Sequence, residues 1–244
     1  MRVGARHLSP EIERKQMAVF QVDGEKVVVR TKRNRRARRM TLRIDAANDC
    51  AVLVLPSRAS FAEGIDFARS KAPWVREKLK ALPPRMLFAP GETLRVKGES
   101  LSIRHDSRVG PRARRDGDIL RVGGDPDLVR DRVVHWLRER ARVAIARRVE
   151  ERAARINKRF RRVTLRDSRT RWGSCSARGN LSFSWRLILA PVEVLDYVVS
   201  HEVAHLAEMN HGPRFWKLVE ELAPNSAGAR DWLGEYGTAL LRQG

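Results

Sequence analysis

Cysteine is scarce in this chain. Cys50 and Cys175 are its only two, and two distant cysteines cannot build the disulfide framework of a small secreted domain. Long apolar runs are missing as well: no stretch approaches the roughly 18 residues that cross a bilayer, so no membrane partner is expected. The first residues, Met1-Arg2-Val3-Gly4-Ala5-Arg6-His7, are basic but lead into no apolar core, unlike a secretory signal. These absences together give the expectation of a soluble cytoplasmic protein. Acid is the third shortage, with 29 Asp and Glu against 50 Lys and Arg, a formal net charge of +21. Such an excess points to a polyanionic partner, DNA among others, unless it reflects an arginine-rich composition alone.

What is present is enough to fold. A hydrophobic content of 42% over 244 residues argues against wholesale disorder and allows one large domain or two modest ones. The pattern predicts a flexible N-terminus over 1–17, a β-rich module with one helix over 18–124, and a second domain over 125–244. Strands are expected at 19–22 and 27–30 around Asp23-Gly24, a favoured hairpin turn, and at 38–44 and 51–55. One helix is expected over 61–82, burying Ile65, Phe67, Ala68, Trp74, Val75 and Leu79. Short strands follow over 93–122, with turns at Lys97-Gly98 and Asp116-Gly117.

Gly123-Gly124-Asp125-Pro126 is the clearest boundary, with Asp125 placed to cap a long helix over 127–159. Its expected apolar stripe is Val133, Leu137, Ala141, Ala144, Ile145, Val149 and Ile156. A strand at 163–166 and a hairpin follow, in which Leu181, Phe183, Trp185 and Leu187 alternate with polar residues. The free edge of that hairpin strand is a candidate pairing site for an extended peptide. No internal repeat is visible. Between the early strands, Lys32, Arg33, Arg35, Arg36, Arg38 and Arg39 form a basic strip that is either a solvated loop or a phosphate-binding surface.

The chemistry concentrates in His201-Glu202-Val203-Ala204-His205. On a helix, residues four apart lie one turn above each other, so His201 and His205 reach one metal ion. Glu202 stands on the neighbouring face, where a carboxylate can take a proton from metal-activated water. A catalytic zinc has three protein ligands and an open position, and His211 is the best candidate for the third. On an unbroken helix His211 would lie about 15 Å along the axis from His201. The helix must therefore stop first, and Asn210 and Gly212-Pro213 supply the stop, with a new helix over 213–222. The expected cofactor is one zinc ion per chain. Cys175 reads as a packed thiol or, less simply, as a fourth ligand that would close the site.

The segments Arg169-Thr170-Arg171-Trp172-Gly173-Ser174-Cys175-Ser176, Leu181 to Pro191, Leu195 to His205 and Asn210-His211-Gly212-Pro213-Arg214-Phe215-Trp216 together resemble the YgjP-like metallopeptidase family, a relative of the SprT-like proteases. The basic strip, Leu55-Pro56 and Lys71-Ala72-Pro73-Trp74-Val75 resemble its N-terminal part. The resemblance implies an α+β chain: a β-rich N-terminal module, then a zincin-like metallopeptidase domain with an HExxH active-site helix over 125–244. It implies His201, His205 and His211 as zinc ligands, Glu202 as general base, and a protein or peptide substrate. Glu208 stands where metzincins carry Gly, and no Met follows Met209, so the chain is not a metzincin. Arg171, with Trp172 beside it, is a candidate for substrate binding, because an arginine near a cation needs an anion. Two rivals stay open: a metal-dependent hydrolase of nucleotide phosphoanhydrides, and a nucleic-acid-binding module with a structural zinc. Glu202 weighs against the second, since a structural site needs no base.

Overall fold

A computed structural model describes residues 17–168, 170–224 and 226–244. The expected flexible N-terminus therefore lies outside the described residues except for Met17, as does Arg169. The chain is mixed α and β, and it divides into two compact units, one ending at Leu82 and one starting at Pro83.

The first unit is a four-stranded sheet with two helices. Strands β1 (Met17–Val22) and β2 (Glu25–Arg33) form the expected hairpin, with positive φ at Asp23 and Gly24. β3 (Thr41–Asp45) and β4 (Cys50–Leu55) complete the order β1-β2-β4-β3, in which β2 and β4 run parallel. Val27, Val29, Ala51, Leu53 and Leu55 face a core closed by the helices. The single helix expected over 61–82 is two: α1 (Phe61–Ser70) and α2 (Ala72–Lys80). Pro73 has no amide hydrogen to continue α1 and instead suits the first turn of α2. The break redirects the second half, and Trp74 is 40% exposed rather than buried. Ser60 and Glu63 close a reciprocal capping box at the start of α1.

The second unit begins with another four-stranded sheet: β5 (Thr93–Val96), β6 (Glu99–His105), β7 (Ala113–Asp116) and β8 (Ile119–Val122). Its order, β5-β6-β8-β7 with a parallel β6–β8 pair, reproduces the topology of the first sheet. That recurrence is carried by strand order and pairing, and no repeated residue pattern announces it. The expected domain boundary at Gly123-Gly124 is not where the units divide. Leu94, Leu101, Ile103 and Leu120 share one core with the helices that follow, so this sheet belongs to the second unit.

A short 3-10 turn (Pro126–Leu128), capped by Asp125, leads into α3 (Val129–Arg155). Val133, Leu137, Ala141, Ile145 and Val149, spaced by four, are buried along one face, while Ala144 and Ile156 pack at its margin. The helix ends four residues earlier than expected, and Asn157 turns the chain with a positive φ. β9 (Arg162–Arg166), β10 (Gly173–Cys175) and β11 (Asn180–Ser184) form a three-stranded sheet in the order β10-β11-β9. The alternation expected through Leu187 stops at Ser184: Trp185–Leu189 is a fully buried 3-10 turn, and Arg186 inside it pairs with Asp167 and lies on the Trp185 ring. Three helices finish the chain, α4 (Val192–Ala204), α5 (Pro213–Leu222) and α6 (Ser226–Leu241). α4 packs against α3, α5, α6 and β10 and is buried on most of its circumference. Asp196 ties it to Arg148 of α3, with Arg152 3.7 Å away. Among the described residues no helix is long and apolar enough to cross a membrane.

Candidate metal centre

α4 brings the chemistry into the interior of the second unit. His201 sits in its last turn, and His205, with helical φ and ψ, caps its end. The helix stops before Asn210, and the chain doubles back so that Gly212 becomes the N-cap of α5. His211, just ahead of that cap, is returned to the other two histidines. One ring nitrogen from each lies within 4.8 Å of the others.

Two observations test whether these residues suit a metal ion. The Nε2 atoms of His201 and His211 are 3.2 Å apart, close to the separation of about 3.3 Å that two nitrogens adopt on a tetrahedral zinc. His205 Nδ1 meets the Glu208 carbonyl at 3.0 Å, so Nδ1 carries the proton and Nε2 keeps its lone pair free for a metal. Burial, with the neighbouring His205 and His211, pushes His201 down to about 4, and burial lowers His205 as well. Neutral imidazole is the ligand form. The set fits a divalent transition-metal ion. The Cys175 thiol is not part of it; burial, with the Glu202 charge, raises it to about 11.

Phe215, part of the Asn210–Trp216 segment but without an expected role there, is the floor under all three rings. It is fully buried, stacks on His205 with centroids 4.5 Å apart, and meets His201 and His211 edge-on at 4.9 and 4.7 Å. Its place three positions into α5 follows from the Gly212-Pro213 helix start. Trp216 adds a looser wall near His201 and His211.

Glu202 is 6% exposed, and its buried Oε2 has no hydrogen-bond partner among the described residues. Burial pushes its carboxyl up to about 7, against the Arg171 charge and a hydrogen bond from the Cys175 backbone N–H, which both lower it. A base with that proton affinity is matched to neutral solution. Gly173 makes room for it: a Cβ there would lie 2.5 Å from Glu202 Cγ and 2.6 Å from Oε1.

Arg171 is exposed and lines both the cavity over the histidines, of about 280 Å³, and a neighbouring one of about 460 Å³. Trp172 lines the second cavity and rests on α6, where a Cβ on Gly237 would lie 3.3 Å from its ring. The hairpin strand from Leu181 has no free edge, because β11 is the middle strand; the edge beside the histidines is β10. In the first unit, Lys32, Arg35, Arg36, Arg38 and Arg39 are exposed and have no ion pair among the described residues. Arg33 differs, since its guanidinium donates to the carbonyls of Pro56, Ser57 and Ala59 and fastens the loop after β4.

A sequence profile of the family described as YgjP-like, metallopeptidase domain, matches residues 38–236. The span takes in the three histidines, Glu202, Arg171 and Trp172, and of the basic strip only Arg38 and Arg39. No curated protein and no solved structure matches the chain.

Proposed function

The chain belongs to the YgjP-like metallopeptidase family, and from that premise we propose that it is a zinc-dependent peptidase with one zinc per chain and a zincin-like second unit. Family membership supports a metal-dependent hydrolase. The observation that carries the finer reading is the buried Glu202 carboxylate beside three imidazoles gathered within 4.8 Å.

His201, His205 and His211 would hold the ion through their free ring nitrogens. Zinc held there would supply Lewis acidity that draws the pKa of water towards about 7 and polarises a carbonyl. The protein's own part is proton handling. Glu202 accepts a proton from the attacking water as the new C–O bond forms at the substrate carbonyl carbon. It then returns that proton to the departing amine as the C–N bond breaks. The Cys175 N–H holds the carboxylate in place, and the Phe215 ring packs against the imidazoles from below. Edge strand β10, adjoining Glu202, offers backbone groups to an extended peptide.

The test is incubation of the zinc-loaded protein with an unfolded protein substrate, with new amino termini read by mass spectrometry. Glu202→Gln, retaining the same metal content, is expected to produce none; equal cleavage by that variant rejects the mechanism. Hydrolysis of a phosphoanhydride is a second reading, favoured by the exposed Arg171 beside the site. Pyrophosphate release from nucleoside triphosphates without any new amino termini would select it. The structural-zinc alternative gives Glu202 no task. The exposed Arg35, Arg36, Arg38 and Arg39, which have no ion pair among the described residues, support polyanion binding, DNA included, as a means of recruitment. A cytoplasmic location fits this use.

A further inference from the structure

The polar face of the β10–β11 hairpin does not contribute to the histidine cluster, yet it is shaped. Leu181 and Phe183 point into the core, which leaves Asn180, Ser182 and Ser184 on the opposite face of β11, with Ser174 of β10 directly across from Ser182. These residues line the cavity of about 460 Å³, and Arg166 and Arg171 stand in its wall. It shares Arg171, Gly173, Ser174 and Cys175 with the cavity over the histidines, so the two adjoin along β10.

The charge of this cavity is one-sided. Among the described residues no carboxylate lines it. The nearest acid in sequence, Asp167, is taken up by Arg186, with Arg138 3.8 Å away. Neither the Arg166 nor the Arg171 guanidinium has an ion pair among the described residues. The hydroxyls are arranged to donate. Ser168 Oγ accepts from the Arg171 N–H at 3.2 Å, and Ser176 Oγ accepts from the Asn180 N–H at 3.1 Å. Each hydroxyl therefore keeps its own hydrogen to give to a ligand. Two fork-shaped cations and a ring of donors match an oxyanion.

We propose that this cavity is the subsite for an anionic side chain of the substrate, a carboxylate or a phosphoryl group, gripped by Arg166 and Arg171 and by the serine hydroxyls of the hairpin. The assignment rests on the peptidase reading: a peptide paired along β10 presents its carbonyl to Glu202 and a side chain to this cavity. It names the substrate class as acidic or phosphorylated peptides, in keeping with the excess of positive charge on the chain.

The experiment uses the zinc-loaded Glu202→Gln protein, which binds without turnover, and a labelled ten-residue neutral peptide. Versions carry a single Glu, or a single phosphoserine, at each position in turn, and affinities are read by fluorescence anisotropy. At one position the anionic peptide is expected to bind about ten-fold tighter than the neutral one, the scale of a charge-assisted bond. The stronger of the Glu and phosphoserine series identifies the group. Adding Arg166→Ala and Arg171→Ala removes that gain. Adding Arg104→Ala and Arg114→Ala, two exposed arginines of the second sheet, deletes the same charge and keeps it. Equal affinity of neutral and anionic peptides at every position, or a gain that survives the loss of Arg166 and Arg171, overturns the subsite. A position-specific gain with no cleavage by the wild-type protein removes the peptidase reading and leaves the subsite standing.

Discussion

Gly173 lies flat against Glu202. A Cβ on Gly173 would come within 2.5 Å of Glu202 Cγ, 2.6 Å of Oε1 and 2.8 Å of Cδ. The edge strand β10 thus sets where the carboxylate can stand, and one methyl group is enough to move it. Gly173→Ala is expected to leave metal binding intact and to lower hydrolysis about 100-fold, the cost of a misplacement near 1 Å. Metal content and turnover measured on the same sample check this; unchanged turnover would mean that the carboxylate has room to yield.

Phe215 is expected to act on two properties at once. Phe215→Ala removes a fully buried ring and should cost about 3–5 kcal/mol of stability by denaturant titration. Phe215→Leu keeps most of the volume but loses the stack on His205. It should remain folded and bind zinc more weakly in competition with a chelator. Wild-type affinity in the leucine variant would show that the ring does not orient the ligands.

Metal-free protein should report the cost of burying Glu202. Its carboxyl rises from the ordinary 4.5 to about 7, so the folded state keeps a proton that the unfolded state releases. The contribution to stability is complete below about pH 4.5 and is lost as pH climbs through about 7. Above that, ionising the buried group costs folding about 3 kcal/mol. Metal-free Glu202→Gln is therefore expected to exceed the wild type in urea stability at pH 8 and to match it at pH 4. A wild type that gains stability from pH 5 to pH 8 relative to the variant contradicts this.

How much of this was legible follows from distance along the chain. The i, i+4 histidines, the Gly212-Pro213 restart and the four-spaced stripe of α3 are local patterns, and local sterics fix them. The Pro73 break in the first pair of helices was equally local, yet apolar periodicity masked it and misplaced Trp74. What could not be read is packing between remote residues. Gly173 meets Glu202 only because β10 packs on α4. The division of the units at Leu82 rests on strands β5–β8 sharing a core with α3; Pro83-Pro84 stands at that point in the sequence, but it reads there only as a helix stop. The pairing of β11 on both sides likewise depends on β9, far upstream, and it moved the free edge to β10.

The basic strip should separate into two kinds of arginine. Replacing Arg35, Arg36, Arg38 and Arg39 by Ala is expected to weaken DNA binding and to reduce its salt dependence by about 0.9 in slope for each phosphate left without its arginine. Stability should hardly change, because these side chains are exposed. Arg33→Ala should instead lower stability by about 1–2 kcal/mol through the carbonyls of Pro56, Ser57 and Ala59. An unchanged salt slope in the four-fold variant would assign the charge to composition alone.

The most direct test measures bound zinc and peptide-bond hydrolysis on the same preparations of wild type, His201→Ala, His211→Ala and Glu202→Gln. The wild type is expected to hold one zinc per chain and to hydrolyse. Both histidine variants should lose zinc and activity together, and Glu202→Gln should keep zinc and lose activity. Full zinc occupancy in the histidine variants, or wild-type turnover in Glu202→Gln, would contradict the account.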